Sequence, residues 1–125
     1  MNPIDPHTEN AVRRFANLIA HRYDIDRIIV YGSRARGTHR PDSDADVAVI
    51  LRGEPQQFLA AKIDMADTAF DVLLETGILI SPIPIWLDEW EHPEEYSNPA
   101  LLHNIQKDGI HIEFENCNSS NQKSF

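Results

Sequence analysis

A glycine–serine pair behind an apolar segment is the first feature of this chain whose residue types and spacing suit chemistry. Gly32 and Ser33 directly follow residues 27–31, Arg-Ile-Ile-Val-Tyr, which predict a buried strand. Backbone amides at the start of the turn or helix that follows favour an anion such as phosphate, and the Ser33 hydroxyl adds a donor. Because glycine has no Cβ, Gly32 lets the backbone approach a ligand closely. We therefore predict a phosphate site at this pair.

Two aspartates, Asp44 and Asp46, lie at the head of a second apolar segment, residues 45–51. Side chains two residues apart in a strand point to the same face, with their Cα atoms about 6–7 Å apart. A divalent cation removes the repulsion between two such carboxylates, and hard oxygen ligands suit Mg²⁺ bridged to phosphates. A charge such as Asp46 inside an apolar strand is costly unless something pairs with it. The pair therefore predicts a Mg²⁺ site.

Each half of this pattern is common by itself. A Gly-Ser after a strand is usually a plain turn, and an Asp-x-Asp is usually a solvated loop or a cap. The combination with two flanking apolar strands is more specific than either part. Arg34 and Arg36 lie beside the pair, where a solvated loop is the ordinary interpretation and phosphate contact the second one. The sequence contains neither a Walker loop nor a dinucleotide-binding glycine motif.

Composition limits the classes of protein to which this chain can belong. Its 125 residues predict a single domain. A formal charge of -9 argues against a general nucleic-acid binder, because phosphate contacts need a basic face. No apolar run approaches the roughly 20 residues of a membrane span, and the N-terminus lacks a signal-peptide pattern. The single cysteine, Cys117, fits a reducing compartment. We expect a cytoplasmic protein with no membrane and no direct nucleic-acid contacts.

Hydrophobic periodicity and breaker residues predict the elements that must position the site. In chain order they are a helix at 5–23, a strand at 27–31, a short turn or helix, a strand at 45–51, a helix at 55–76, a strand at 78–86 and a helix at 99–107. A last short strand at 110–114 is a further option. Pro82 and Pro84 lack amide donors, which favours a sheet edge for the third strand.

This order of elements predicts the fold class. It indicates an α/β or α+β fold with a small mixed sheet flanked by helices, without the repeated crossovers of a Rossmann fold. The domain is expected to cover residues 1–115, followed by a disordered polar tail at 116–125. The long helix is expected to bury an apolar stripe formed by Leu59, Ile63, Ala66, Phe70 and Leu73.

The spacing of the two motifs resembles that of a known superfamily. Gly32-Ser33, ten residues and then Asp44-Ala45-Asp46 match the hallmark of the DNA polymerase β nucleotidyltransferases, especially the minimal nucleotidyltransferases. The resemblance implies a polymerase-β-like nucleotidyltransferase fold. It also implies Mg²⁺-dependent transfer of a nucleoside monophosphate from a triphosphate, ATP in the first instance, to a hydroxyl.

The same resemblance assigns roles to the motif residues. Ser33 and the amides near it would hold the β- and γ-phosphates, whereas Asp44 and Asp46 would bind the metal. Arg34 and Arg36 would be secondary candidates for phosphate contacts. Metal and fixed donors would together stabilise the charge that develops at the α-phosphate.

One departure from the superfamily pattern concerns a third carboxylate. Members usually carry it on a later strand, facing the pair, but residues 78–87 contain no acid. Ser81 is the only hydroxyl of that segment, and Asp88 lies just past it. Three alternatives follow: Asp88 reaches into the site, the site operates with two carboxylates, or transfer is weak or lost.

The acceptor is expected to come from a second protein. Larger relatives carry an additional helical domain for the acceptor, and this sequence ends soon after the third strand. The resemblance implies an antitoxin that adenylylates a tyrosine of a HEPN-type ribonuclease toxin within a hetero-oligomer. An acidic surface would suit such a basic, RNA-binding partner. The alternatives are a non-catalytic antitoxin that acts by binding and a nucleotidyltransferase that modifies a small molecule.

Overall fold

One four-stranded sheet with helices on both faces organises the part of the chain that the structure describes. The structure is a computed structural model that describes residues 4–40, 42–55 and 57–115, so the predicted tail at 116–125 lies outside it. The elements are α1 (Pro6–Ile19), β1 (Ile25–Tyr31), α2 (Ser33–Arg36), β2 (Ala45–Leu51), α3 (Phe58–Thr76), β3 (Ile80–Trp86), α4 (Leu87–Glu91), a 3₁₀ turn (Pro93–Glu95), α5 (Pro99–Asp108) and β4 (Ile110–Ile112). None of the helices in these ranges is long and apolar enough to cross a membrane.

The sheet is mixed, which confirms the predicted fold class. Its strand order is β3-β2-β1-β4. β1 is antiparallel to both β2 and β4, whereas β2 and β3 are parallel. The end of β1 therefore meets the starts of β2 and β3 at one end of the sheet, which we call the site end; it holds Tyr31, Ala45 and Ile80. The opposite end holds Leu51 and Trp86.

Two cores lie on the two faces of the sheet. On one face α1 and α3 pack against residues that include Val47 and Val49 of β2. On the other face α5 covers Ala48 and Ile50 of the same strand. β2 is thus enclosed by a strand on each side and by helices on both faces. Asp46, at its site end, belongs to the face that α5 covers, because strand residues alternate between faces.

α1 begins where the sequence predicts and ends earlier. Asp5 is its N-cap, and the Asp5 carboxylate accepts a hydrogen bond from the Thr8 amide at 2.7 Å. The helix ends at Ile19 rather than near the predicted Tyr23. The Tyr23 side chain reaches α3 instead, where its hydroxyl donates to Asp64 at 2.8 Å.

α3 buries a different face from the one predicted. Its buried residues are Ala61, Met65, Thr68, Ala69 and Val72. The predicted stripe is wrong, because its members are exposed or, for the last of them, only partly buried: Leu59, Ile63, Ala66, Phe70 and Leu73. The helix is apolar on more than one side, so the helical period alone does not select the buried face. Small residues on the inner face let α3 lie close to α1 and the sheet.

The prolines of β3 lie at the sheet edge, as predicted. Pro82 and Pro84 alternate along the strand, so the two positions without an amide hydrogen lie on the same side of β3. The sheet order makes β3 an outer strand. The Pro82 carbonyl accepts a hydrogen bond from the Lys62 ammonium at 3.0 Å, which ties α3 to this edge.

Candidate active site

The sheet brings the glycine–serine turn directly beside the second aspartate. Tyr31, the last residue of β1, is the ladder partner of Asp46 in β2. Gly32 follows with φ of 78° and ψ of -155°, a conformation that essentially only glycine adopts. A Cβ at Gly32 would collide with the Asp46 carboxylate. The turn and the acid, which are separated in sequence, are therefore in contact across neighbouring strands.

We predict that Gly32→Ala weakens Mg²⁺-ATP binding and lowers the melting temperature. The unusual backbone conformation costs a non-glycine residue about 1–3 kcal/mol, and the added methyl group displaces the Asp46 carboxylate. Calorimetry and thermal unfolding measure the two effects. Gly53→Ala is the matched control, because Gly53 also has a positive φ of 92° but has nothing within 4 Å of an added Cβ. Equal losses of binding in both variants would contradict the prediction.

The turn also starts a short helix. α2 begins at Ser33, and the Arg36 amide closes the turn by donating to the Gly32 carbonyl at 3.1 Å. In any helix the first-turn amides point out of the N-terminal end. The Ser33 side chain is partly exposed at this end. The start of α2, where helix amides can bind an anion, therefore lies next to the Asp46 carboxylate, and phosphate binding there stays a prediction.

The aspartate pair has an unbalanced negative charge. Asp44 is exposed, whereas Asp46 is only partly exposed at the head of β2. Burial raises the pKa of Asp46 above its ordinary value, the Asp44 carboxylate raises this pKa further, and the Arg36 guanidinium opposes both effects. The effect of Arg36 is the smallest of the three, since half of this side chain is exposed and it forms an ion pair with Asp108 at 3.7 Å. The site therefore favours an additional positive charge.

The two carboxylates fit a divalent cation that phosphate oxygens also coordinate. Asp46 belongs to the face that α5 covers, and Asp44 directly precedes β2, close enough for its carboxylate to raise the pKa of Asp46. The described residues contain no group of three or more acidic, histidine or cysteine side chains that could hold a metal by themselves. A cation here would need ligands from the substrate, which is the usual arrangement for Mg²⁺ with nucleotides. The metal-binding role of the pair stays a prediction.

The neighbour of Asp46 on β3 is Ser81 and not a carboxylate. β2 and β3 are parallel, and Ser81 is the direct ladder partner of Asp46, so the two side chains share one face. Adjacent strands lie about 4.8 Å apart. Asp88 lies beyond Trp86, at the opposite end of β3 and about 16 Å along the strand from Ser81. The structure therefore does not bring Asp88 together with Asp44 and Asp46.

Arg34 is a buried structural residue. Its Nε donates to the Ser43 carbonyl at 3.0 Å, and its guanidinium also donates to the Thr8 hydroxyl at 2.8 Å. The Thr8 hydroxyl in turn donates to Asp5, which also contacts His39 at 3.1 Å. Arg34 thus joins α2 to the start of α1 and to the loop before Asp44, which positions the aspartates. Phosphate contact by this side chain stays a prediction that the burial does not favour.

We predict opposite phenotypes for the two arginines. Arg34→Met should lower the free energy of unfolding by about 2–4 kcal/mol, because it leaves buried partners of a charged donor unpaired. Arg36→Met, at a half-exposed position, should change stability by less than about 0.5 kcal/mol but weaken ATP binding several-fold. Urea denaturation and calorimetry measure these quantities. An Arg34→Met protein of normal stability that loses only ATP binding would instead make Arg34 a phosphate ligand.

Tyr31 is a site residue that the sequence analysis did not single out. It faces the same side of the sheet as Asp46, its ladder partner. Burial raises the pKa of Tyr31 to about 12, and the nearby Asp46 and Tyr96 add to this shift. The hydroxyl therefore stays protonated at neutral pH and can serve as a hydrogen-bond donor beside the aspartate. The sequence feature that could have indicated this role is its position directly before Gly32.

Comparisons with known proteins agree with this geometry. The family profile described as a nucleotidyltransferase domain matches residues 12–96, which include the turn, the aspartate pair and Ser81. A Methanocaldococcus jannaschii protein, provisionally named a protein adenylyltransferase, is 39% identical over 59 residues. This alignment covers 47% of the chain and 58% of the relative, so the chain spans less than two thirds of that protein.

A solved structure shares the fold. It is the crystal structure of a protein from Sulfolobus solfataricus, provisionally described as a nucleotidyltransferase, with a TM-score of 0.54 and 16% sequence identity. The similarity covers 83% of this chain and 78% of the other. At this identity it supports the fold alone, whereas the family profile covers more than half of the sequence. The chain therefore belongs to the family of nucleotidyltransferase domains.

Proposed function

We propose that this protein is a Mg²⁺-dependent nucleotidyltransferase that transfers AMP from ATP to a hydroxyl of a partner protein. The contact between Gly32 and the Asp46 carboxylate carries the proposal, because it joins an anion-binding turn to a cation-binding pair. Membership in the nucleotidyltransferase family supports the reaction class. The name of the M. jannaschii relative supports a protein as the acceptor.

The chain's own residues would perform three tasks. Ser33 and the amides of α2 bind the phosphates, and Arg36 adds a positive charge at the same end of the sheet. Asp44 and Asp46 hold the cation, which when bound neutralises the charge of the triphosphate and of the departing pyrophosphate. Asp46 is partly buried, which strengthens its electrostatic interaction with the cation.

The transfer itself makes one bond and breaks one. The acceptor hydroxyl oxygen bonds to the α-phosphorus, the bond from that phosphorus to pyrophosphate breaks, and the hydroxyl proton passes to solvent water. Asp44 and Asp46 would be engaged with the cation, and the neighbour of Asp46 on β3 is Ser81, which is not a carboxylate that could take the proton. A carboxylate base contributes about 10²–10⁴-fold to such steps. We therefore expect slow transfer that relies on positioning.

We propose a HEPN-type toxin as the partner and a tyrosine of that toxin as the acceptor, so that the protein acts as an antitoxin in a hetero-oligomer. The formal charge of -9 supports a basic, RNA-binding partner. Ser81 beside Asp46 favours a second candidate, an antitoxin that neutralises its partner by binding without transfer. A nucleotidyltransferase that modifies a small molecule is the third candidate.

Labelled ATP distinguishes these candidates. The protein is incubated with α-labelled ATP, Mg²⁺ and the product of the gene adjacent to its own, and the mixture is resolved by electrophoresis and by gel filtration. Label on a tyrosine of the neighbouring protein supports the proposed transfer. A tight complex without label supports the binding-only antitoxin. Label that appears only on an added small hydroxyl compound contradicts the protein-acceptor proposal.

A further inference from the structure

The exposed large hydrophobic side chains of the described residues are confined to one segment. They lie between residues 58 and 79, and 39% to 70% of each is exposed: Phe58, Leu59, Ile63, Phe70, Leu74 and Leu79. Single exposed apolar residues scattered over a surface are ordinary, but a contiguous set indicates an interaction site. α3 and the residues that follow it therefore carry an uncovered apolar surface.

Four of these residues, together with the exposed Ala66, form a stripe along one side of α3. Leu59, Ile63, Ala66 and Phe70 are separated by four, three and four positions, and Leu74 follows four positions later. This spacing is that of a helix that packs against another helix. From Leu59 to Leu74 the stripe is about 22 Å long. Its length and spacing suit an amphipathic helix of a second protein.

The charges beside the stripe are acidic. Asp67 and Asp71 are exposed, one helical turn apart, and neither forms an ion pair with any residue that the structure describes. The other charged residues of α3 have partners within the chain: Asp64 with Arg22, Glu75 with Arg14, and Lys62 with the Pro82 carbonyl. Two copies of α3 packed through the stripe would bring like charges together. A helix with basic residues beside its apolar face would instead match them.

The stripe runs toward the site end of the sheet. α3 runs from the Leu51 end of the sheet back to the site end, because β3 starts just after it at Ile80. Leu79 is 39% exposed at this end, and its carbonyl accepts a hydrogen bond from the Ala45 amide at 2.9 Å. Ala45 lies between the two aspartates. A helix docked on the stripe would therefore end near the site end of the sheet, on the face opposite the one to which Asp46 belongs.

We propose that the outer face of α3, from Leu59 to Leu74, docks a basic amphipathic helix of the acceptor protein and so holds that protein on this chain during transfer. This inference rests on the proposed transfer to a partner protein for its catalytic part. The docking itself depends only on the stripe and on its acidic flank.

Synthetic helices test the docking directly. Two peptides of about three heptads carry leucine at the a and d positions; one has lysine at the flanking e and g positions and the other has glutamate. Calorimetry should show binding of the basic peptide, weakened by added salt, and no binding of the acidic peptide. Equal binding of both peptides, or of neither, would overturn the proposal.

Variants of the stripe provide the matched comparison. Ile63→Glu with Phe70→Glu should lower the affinity for the basic peptide by at least about tenfold. The melting temperature should stay unchanged, because both side chains are exposed. His103→Glu with Asn104→Glu on α5, also exposed, adds the same charge elsewhere and should change the affinity less than twofold. Sedimentation of the unmodified protein serves as a further check. A dimer that the stripe variant dissociates would identify a second copy as the occupant and overturn the proposal.

The label-transfer assay separates this inference from the proposed function. The stripe variant should lose labelling of the neighbouring protein but retain Mg²⁺-ATP binding, whereas the Asp44→Asn, Asp46→Asn variant should lose both. Normal labelling by the stripe variant would overturn the docking role while the nucleotidyltransferase stands. Stripe-dependent peptide binding without any labelling by the unmodified protein would support the docking face and contradict transfer to that partner.

Discussion

The double substitution Asp44→Asn and Asp46→Asn is expected to abolish Mg²⁺-dependent ATP binding while it raises the melting temperature. Neutral amides are poor ligands for a hard cation, so affinity should fall by about a hundredfold or more. The gain in stability arises because burial and Asp44 both disfavour the charged Asp46 in the folded chain. Functional sites commonly carry such a stability cost.

The pH dependence of this gain follows from the raised pKa of Asp46. A carboxyl whose pKa is higher in the folded than in the unfolded chain destabilises the fold as the pH rises above its unfolded pKa, about 3.9. The advantage of the double variant should therefore be larger at pH 7, shrink as the pH falls through the raised pKa of folded Asp46, and be lost near pH 4. Thermal unfolding at both pH values measures it. A double variant that binds Mg²⁺-ATP like the unmodified protein would refute the site assignment.

Ser81→Asp is expected to increase the rate of AMP transfer by about a hundredfold or more. The new carboxylate would lie beside Asp46 on the same face of the sheet, where it could accept the acceptor proton. Without Mg²⁺ a third negative charge should lower the melting temperature, and Mg²⁺-ATP should restore it. Single-turnover transfer and thermal unfolding with and without the metal measure these effects.

Two control variants make this prediction specific. Asp88→Ala should leave the rate of AMP transfer within about twofold of that of the unmodified protein. Asp88 is exposed beyond the other end of β3, where it forms an ion pair with His92. Ser81→Ala should likewise leave ATP binding unchanged. If Ser81→Asp were slower than the unmodified protein while Asp88→Ala lost activity, the assignment of the two ends of the sheet would have to be reversed.

Local sequence signals were sufficient to predict most helices and strands. The predicted strand at 45–51 has the bounds that the structure shows, because it is an apolar run between Asp44 and Arg52-Gly53. β1 begins at Ile25, before the predicted start, since Ile25 pairs with Leu51 across a register irregularity. Such pairing depends on the neighbouring strand and cannot be inferred from the segment itself.

The buried face of α3 could not be predicted from periodicity. The helix has apolar residues on its inner and outer sides, and the larger ones lie outside. The stripe that periodicity predicts to be buried is the one that the structure leaves largely exposed. Packing against α1 and the sheet, which accept small residues such as Ala61 and Ala69, determines which side of α3 is buried. The error itself identifies the surface proposed for docking.

The site was predictable where it depends on sequence spacing and not where it depends on strand direction. The turn at Gly32 and the acid at Asp46 follow from two adjacent motifs, and the antiparallel pairing of their strands brings them together. The parallel direction of β3 selects Ser81 over Asp88 as the neighbour of the aspartates. The burial of Arg34 depends on contacts with α1, which no local pattern reports.

Paramagnetic broadening by Mn²⁺ with a non-hydrolysable ATP analogue tests most directly whether the turn and the aspartates share one metal–nucleotide complex. Backbone amide signals of the protein are recorded with the analogue alone and after addition of substoichiometric Mn²⁺. The account predicts that signals of Gly32, Ser33, Asp44 and Asp46 disappear while that of Asp88 stays sharp. Broadening centred away from the turn and the aspartates, with their signals unchanged, would contradict it.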